Sequence, residues 1–121
     1  MSTAPLILFA HGARDPRGAE PFEAIRQPLL ADAPGRRVEL AYLELMQPTL
    51  PALASALYAE GVRHVVLVPL FLAAGSHLRR DLPAMVSEIE AAHPGLSLDV
   101  RPPLGEAPEM RQAIAHWLAG L

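Results

Sequence analysis

The amino-acid sequence predicts an α/β fold: one doubly wound domain over residues 1–121, with a four-stranded parallel sheet in the order 2-1-3-4 flanked by helices on both faces. Three observations carry this reading. Four short apolar runs alternate with four helical patterns, and strand–helix alternation builds parallel sheets through right-handed crossovers. The first and third runs are continuous rather than alternating, as expected of central strands covered on both faces. Prolines and glycines punctuate the segments between the runs.

The first run is Pro5 to Ala10, and the helical segment after it opens near Pro16 and closes at Gly35. Pro28 lies inside that segment. It removes a backbone N–H and crowds the preceding turn, so a kink or break is expected near Ile25. The second run, Val38 to Leu43, is weaker. The segment from Pro48 to Gly61 carries Leu50, Leu53, Ala54, Leu57 and Tyr58, the spacing of one buried helix face. Val65 to Leu70 is the clearest buried strand, followed by a helix expected to open near Pro83 and close at Gly95. Leu96 to Val100 alternates, which suits an edge strand with one face toward water. The last helix opens near Pro108 and stops at Gly120. Proline is tolerated in a first helical turn, and glycine accommodates the turn past a helix end.

Composition excludes several functions. The 121 residues hold 10 Lys+Arg against 13 Asp+Glu, a net charge of −3, and every one of the ten cations is arginine. Schiff-base lysine chemistry and a Walker-type phosphate lysine are therefore absent. An acidic balance argues against a general nucleic-acid binder. Without cysteine there are no disulfides, thiolate nucleophiles or Cys-based metal sites. No run approaches the ~20 apolar residues of a membrane span, so a cytoplasmic domain is expected. The first turn lacks Gly-x-Gly-x-x-Gly and the chain has no Gly-Lys-Ser/Thr, which argues against nucleotide binding by either route, and there is no Gly-x-Ser-x-Gly elbow for a hydrolase.

In open α/β sheets ligands bind beyond the carboxyl ends of the strands, where strand order reverses. Here that point lies between the first and third strands. His11 follows the first strand directly, His77 lies in the loop expected after the third, and Glu44 follows the second. Imidazole and carboxylate suit borderline divalent metals and also exchange protons near neutral pH. Arg14, Arg17, Arg79 and Arg80 surround the same rim and suit an anionic ligand, with Asp15 and Asp81 as alternative pairing partners or helix caps. Leu70, Phe71 and Leu72 continue the third strand toward solvent, where they either cap the core or make an apolar wall for a flat ligand or a partner subunit. Gly12 and Gly75 allow positive φ or close backbone approach beside each histidine, or serve ordinary turns. His64, His93 and His116 fall on a strand start, a helix end and the last helix, away from the rim.

The stretches His11-Gly12-Ala13-Arg14-Asp15-Pro16, Tyr42 to Thr49, and Val68 to Leu72 through Gly75-Ser76-His77 to Asp81-Leu82-Pro83 resemble the CbiX/SirB family of class II chelatases. The resemblance covers essentially the whole chain and corresponds to the short, single-domain form. It implies a chelatase-like fold and insertion of a divalent metal, Co2+ ahead of Fe2+ or Ni2+, into sirohydrochlorin, for cobalamin or siroheme biosynthesis. The metal is substrate, and no organic cofactor is implied. His11 and His77 match the metal-binding and catalytic histidines, and Glu44 an assisting acidic position. Arg14, Arg17, Ser76, Arg79, Arg80, Phe71 and Leu72 would meet the tetrapyrrole. Many members carry Ser where this chain has Ala13, so a hydroxyl beside the histidine is missing. A homodimer is expected, a second copy supplying the other wall of the cleft. Two rival classes use the same residues: a non-catalytic divalent-metal carrier, and a small regulatory domain binding an anionic ligand.

Overall fold

A computed structural model describes residues 3–121 except residue 74, together with every side chain in that range except that of residue 77. The strands are β1 (Leu6–Ala10), β2 (Val38–Tyr42), β3 (His64–Pro69) and β4 (Ser97–Val100). They form one parallel sheet in the order β2-β1-β3-β4, as the apolar runs predict. β1 is hydrogen-bonded on both sides. Leu6 to Ala10 pairs with Val38 to Tyr42, and Leu6 to Phe9 pairs with Val66 to Pro69.

Alternation along the strands divides the apolar interior into two cores. Ile7, Phe9, Ala41, Val65, Leu67 and Leu98 point to one face. There they meet Leu50, Leu53, Ala54 and Leu57 of α2 (Leu50–Ala59) and Leu82, Val86 and Ile89 of α3 (Ser76–Ala92). Leu8, Ala10, Val38, Leu40 and Tyr42 point to the other face, under Phe22, Leu29 and Leu30 of α1 (Glu20–Asp32). A last helix, α4 (Pro108–Ala119), follows a short 3₁₀ turn at Leu104–Glu106.

The helix starts refine the proline reading at Pro16 and Pro48 and correct it at Pro83. Pro16 opens a 3₁₀ turn, Pro16–Ala19, and α1 begins only at Glu20, with Pro21 in its first turn. Pro48 precedes α2; the Thr49 side chain caps that helix by accepting from the Ala52 N–H, and Pro51 sits in its first turn. Pro83 lies inside α3, which starts seven residues earlier at Ser76. His77 is therefore in the first turn of a helix rather than in a loop; its side chain lies outside the described residues. Pro28 does not break α1, which runs through it to Asp32. An interior proline forfeits one backbone hydrogen bond, and here the helix beyond it keeps Leu29 and Leu30 packed on the sheet. Pro108 opens α4 as expected.

Leu57 is fully buried between α2 and the sheet. Leu57→Ala is expected to cost about 2–5 kcal/mol, a transfer loss plus a cavity. Ile25→Ala, on the exposed side of α1, is expected to stay within about 0.5 kcal/mol of wild type. Urea unfolding midpoints of the two variants measure the contrast.

Candidate functional site

The carboxyl ends of β1, β2 and β3 bring their loops together above β1. Two backbone hydrogen bonds extend the β1–β2 ladder past the strands: Leu43 N–H to Ala10 O at 2.9 Å and Glu44 N–H to His11 O at 3.1 Å. They hold His11 and Glu44 side by side, and His11 Nε2 lies 3.1 Å from Glu44 Oε1. A carboxylate only accepts hydrogen bonds, so in the neutral imidazole Nε2 carries the proton and Nδ1 keeps its lone pair. Both side chains are more than half exposed, so the pair is reachable by a ligand.

Gly12 makes this approach possible. Its φ is +100°, and a Cβ built there would stand 1.9 Å from the Glu44 carbonyl oxygen. Only glycine fits. Gly75 needs neither property: it is the extended N-cap residue of α3, with open space where a Cβ would point. Leu45, next to Glu44, has φ +69°, a left-handed conformation that costs a non-glycine residue on the order of 1 kcal/mol. That backbone turn directs the Glu44 loop over the end of β1. The far end of the loop returns through the Tyr42 N–H to Pro48 O bond at 2.9 Å.

A cavity of about 310 Å³ opens beside His11, lined by Leu43, Phe71, Ala73, Gly75, Leu78 and Asp81. Phe71 is anchored edge-on against buried Phe9, with ring centroids 6.1 Å apart. Among the described residues the lining is mostly apolar, with the His11 imidazole and the Asp81 carboxylate as its titratable groups. Asp81, read from sequence only as a pairing partner or cap, is the residue there that sequence reasoning missed. Its place in α3, one turn after His77 rather than in a loop, was the missing signal. A second apolar cavity, about 380 Å³, lies on the other side of Leu78 between α3 and β4.

The rim arginines divide into two kinds. Arg17 is held by Asp15: its Nη2 lies 2.6 Å and its Nε 3.0 Å from Asp15 Oδ2. Asp15 also accepts the Arg17 backbone N–H, and these bonds hold its carboxyl below the usual range. Arg79 pairs with Glu106 at 3.1 Å. Arg14 and Arg80 are exposed and make no ion pair among the described residues. None of the four lines the His11 cavity. Ser76 is the first residue of α3, exposed at the rim, and Leu72 is 73% exposed on the loop after β3. Ala13 packs beside Gly18. His64, His93 and His116 stand apart from this site: His93 ends α3 with Nδ1 2.8 Å from Ile89 O and its ring against Tyr58. Among the described residues no three His, Asp or Glu side chains form a group able to hold a metal ion, and no helix is long and apolar enough to cross a membrane.

A family model, CbiX, matches residues 5–119. The chain belongs to the CbiX family. Among curated proteins, this CbiX chain is 33% identical over 85 residues to the sirohydrochlorin cobaltochelatase of Methanococcus aeolicus, covering 70% of this chain and 59% of that protein. It is 24% identical over 111 residues to the sirohydrochlorin ferrochelatase of Bacillus subtilis, covering 92% of this chain but 42% of that one. The chain thus spans roughly half the length of these curated relatives. Among solved structures, a putative cobalamin (vitamin B12) biosynthesis CbiX protein from Marinobacter aquaeolei superposes with a TM-score of 0.84 at 37% identity, covering 97% of this chain and 95% of that one. SirB from Bacillus subtilis with Fe3+ superposes with a TM-score of 0.73 at 25% identity, covering 93% of this chain and 45% of SirB. The four-stranded sheet in the order 2-1-3-4 is thus a CbiX/SirB chelatase fold.

Gly12→Ala is expected to push the Glu44 backbone away and separate it from His11, costing well over about 1 kcal/mol. Gly35→Ala, at φ +81° but with open space around it, is expected to show conformational strain alone and a smaller loss. Thermal melts of the two variants compare collision with strain.

Proposed function

We propose that this domain inserts a divalent metal, Co2+ ahead of Fe2+ or Ni2+, into sirohydrochlorin in the cytoplasm. The observation that carries the proposal is the His11–Glu44 pair at the mouth of an apolar cavity, in a CbiX-family chain whose relatives include sirohydrochlorin cobaltochelatases and a ferrochelatase.

Insertion exchanges two pyrrolic protons for M2+, so the protein must present a partly dehydrated metal and accept protons in turn. With Nε2–H donated to Glu44, the Nδ1 lone pair of His11 is free to hold the incoming ion and afterwards a proton. A metal-binding imidazole whose other N–H meets a carboxylate is more basic and fixed in orientation. Glu44 thus supports His11 as an assisting base rather than a ligand, and stabilises the imidazolium once a proton arrives. His77, in the first turn of α3, is assigned as the second metal-delivering and proton-accepting residue on its match to the family motif. Phe71 forms an apolar wall for the macrocycle. Arg14 and Arg80 meet its carboxylates directly; Arg17 and Arg79 would first exchange Asp15 and Glu106 for them, and Ser76 and Leu72 complete the rim. One domain offers one wall of the cleft, and a second copy of the chain supplies the other.

The test is anaerobic: protein, sirohydrochlorin and Co2+, followed by the tetrapyrrole spectrum against a control without protein. His11→Ala and His77→Ala are expected to suppress accelerated insertion while circular dichroism stays native. Glu44→Gln is expected to lose about 10–100-fold. His93→Ala and His116→Ala are expected to be nearly silent. If none of Co2+, Fe2+ and Ni2+ enters faster than in the control, the chelatase reading fails; metal titration then separates a carrier from an anion-binding regulator.

A further inference from the structure

Another cavity, of about 250 Å³, lies along the outer edge of β2 and shares no lining residue with the one beside His11. Glu23 and Arg26 of α1 close one side of it, and Gln47 and Pro48, from the loop that carries Glu44, close its end. β2 itself forms the floor. Alternate residues of a strand turn their backbone groups to opposite edges. Arg37 O accepts from Leu6 and the Leu43 N–H donates to Ala10 O, so the odd-numbered residues face β1, and Val38, Leu40 and Tyr42 face outward. Two of these three find partners there: Arg26 Nε donates to Val38 O at 2.8 Å, and the Tyr42 N–H donates to Pro48 O at 2.9 Å. Leu40, between them, turns its N–H and C=O toward the cavity, where no described group meets them.

The Tyr42 side chain points to the same place. It is only 4% exposed, and its hydroxyl makes no hydrogen bond among the described residues. The oxygen is not sealed in; it opens on the cavity that the ring lines. Burial, then the charge of Glu23, holds the phenol above its usual range. At neutral pH it is therefore an intact O–H, able both to donate and to accept. Buried polar groups are nearly always paired, so a phenol and a strand carbonyl left open on one small cavity mark a place built for a ligand.

The charges select the sign of that ligand. Glu23 and Glu39 both line the cavity, whereas Arg26 is already engaged by Val38 O and, at 3.7 Å, by Glu23. Arg37 reaches Glu39 at 3.2 Å but gives both of its terminal nitrogens to Glu60. An anion would meet two carboxylates. A divalent metal is also a poor occupant, because Mg2+ and Ca2+ take about six or more oxygens and no three acidic or His side chains group together among the described residues. An ammonium carries three N–H donors and so matches a lining made mostly of acceptors.

We propose that this cavity binds a small primary alkylammonium ion, held by the Leu40 carbonyl, the Tyr42 hydroxyl and the Glu23 carboxylate. Its methylenes lie against Leu40 and Pro48, and in a short diamine the second ammonium faces Glu39. Such a ligand joins α1, the edge of β2 and the Glu44-bearing loop. It therefore stabilises the folded chain by mass action.

The experiment titrates butane-1,4-diamine into the 121-residue chain at constant pH and ionic strength, following backbone amide NMR shifts and thermal melting. Saturable shifts at Leu40, Tyr42 and Gln47 and a rise in Tm are expected. Butane-1,4-diol, of equal length without charge, should change neither. Glu23→Gln should raise the diamine Kd by about tenfold or more, the loss of a hydrogen bond to a charged group. Tyr42→Phe removes only the unpartnered hydroxyl. Without diamine it should melt at or above wild type, yet it should bind diamine about tenfold more weakly, which separates a ligand contact from damage to the fold. Glu109→Gln, on α4, should bind as wild type. Diol shifting the same amides, Mg2+ alone saturating them where diamine does not, or no saturable binding at all would each overturn the proposal. None of these readouts involves metal insertion, so the chelatase reading is tested separately.

Discussion

Everything at the site depends on β1 being hydrogen-bonded on both edges. The chain steps from β1 to β2 on one side and then back past β1 to β3 on the other. With right-handed crossovers the connecting helices α1 and α2 must therefore cover opposite faces. α1 lies over Leu8 and Ala10, while α2 and α3 lie over Ile7 and Phe9. The chain therefore opens a crevice directly above Ala10, and the next residue is His11. The last rungs of the ladder, from Leu43 to Ala10 and from Glu44 to His11, carry the sheet's regularity into that crevice. A carboxylate on a separate loop is thereby held within hydrogen-bonding distance of the imidazole. Gly12 is the local condition for this continuation, since any side chain there would meet the Glu44 carbonyl.

Much of this was legible in the sequence. Continuous apolar runs at Pro5–Ala10 and Val65–Leu70 identified the central strands, because strands covered on both faces dispense with alternation. The placement of His11 and Glu44 followed from strand order alone. The helix starts were less legible. Pro83 looks like a first-turn proline, but the start of α3 is set by Gly75, and the helix tolerates one missing hydrogen bond because Leu82, Val86 and Ile89 are buried along it. That error placed His77 in a loop rather than on the helix and concealed the place of Asp81 in the cavity. Gly12 and Gly75 were indistinguishable by residue type, since only the tertiary approach of the Glu44 loop separates them.

The arginines show a second limit. Four of them follow the strands at the rim, and sequence assigns them one common task. The structure separates them by their nearest carboxylates: Arg17 closes on Asp15 two residues away, and Arg79 reaches Glu106 from another segment. Pairs as exposed as these are weak and exchange readily. The rim's positive potential is thus less than its arginine count suggests, and an anionic ligand would have to compete for half of it.

The two faces of the sheet are also unequal in how firmly they are held. The α2–α3 side has buried residues on both helices, whereas α1 has none and rests on half-buried Phe22, Leu29 and Leu30. Free energies of local opening follow such differences in buried contacts. α1 and the Arg14–Ala19 segment leading into it are therefore expected to open at lower cost than α2 and α3. The cavity beside His11 is walled from the firmly held side, by Leu43, Phe71, Leu78 and Asp81 and by no residue of α1, so loosening of that layer leaves the wall and the imidazole in place.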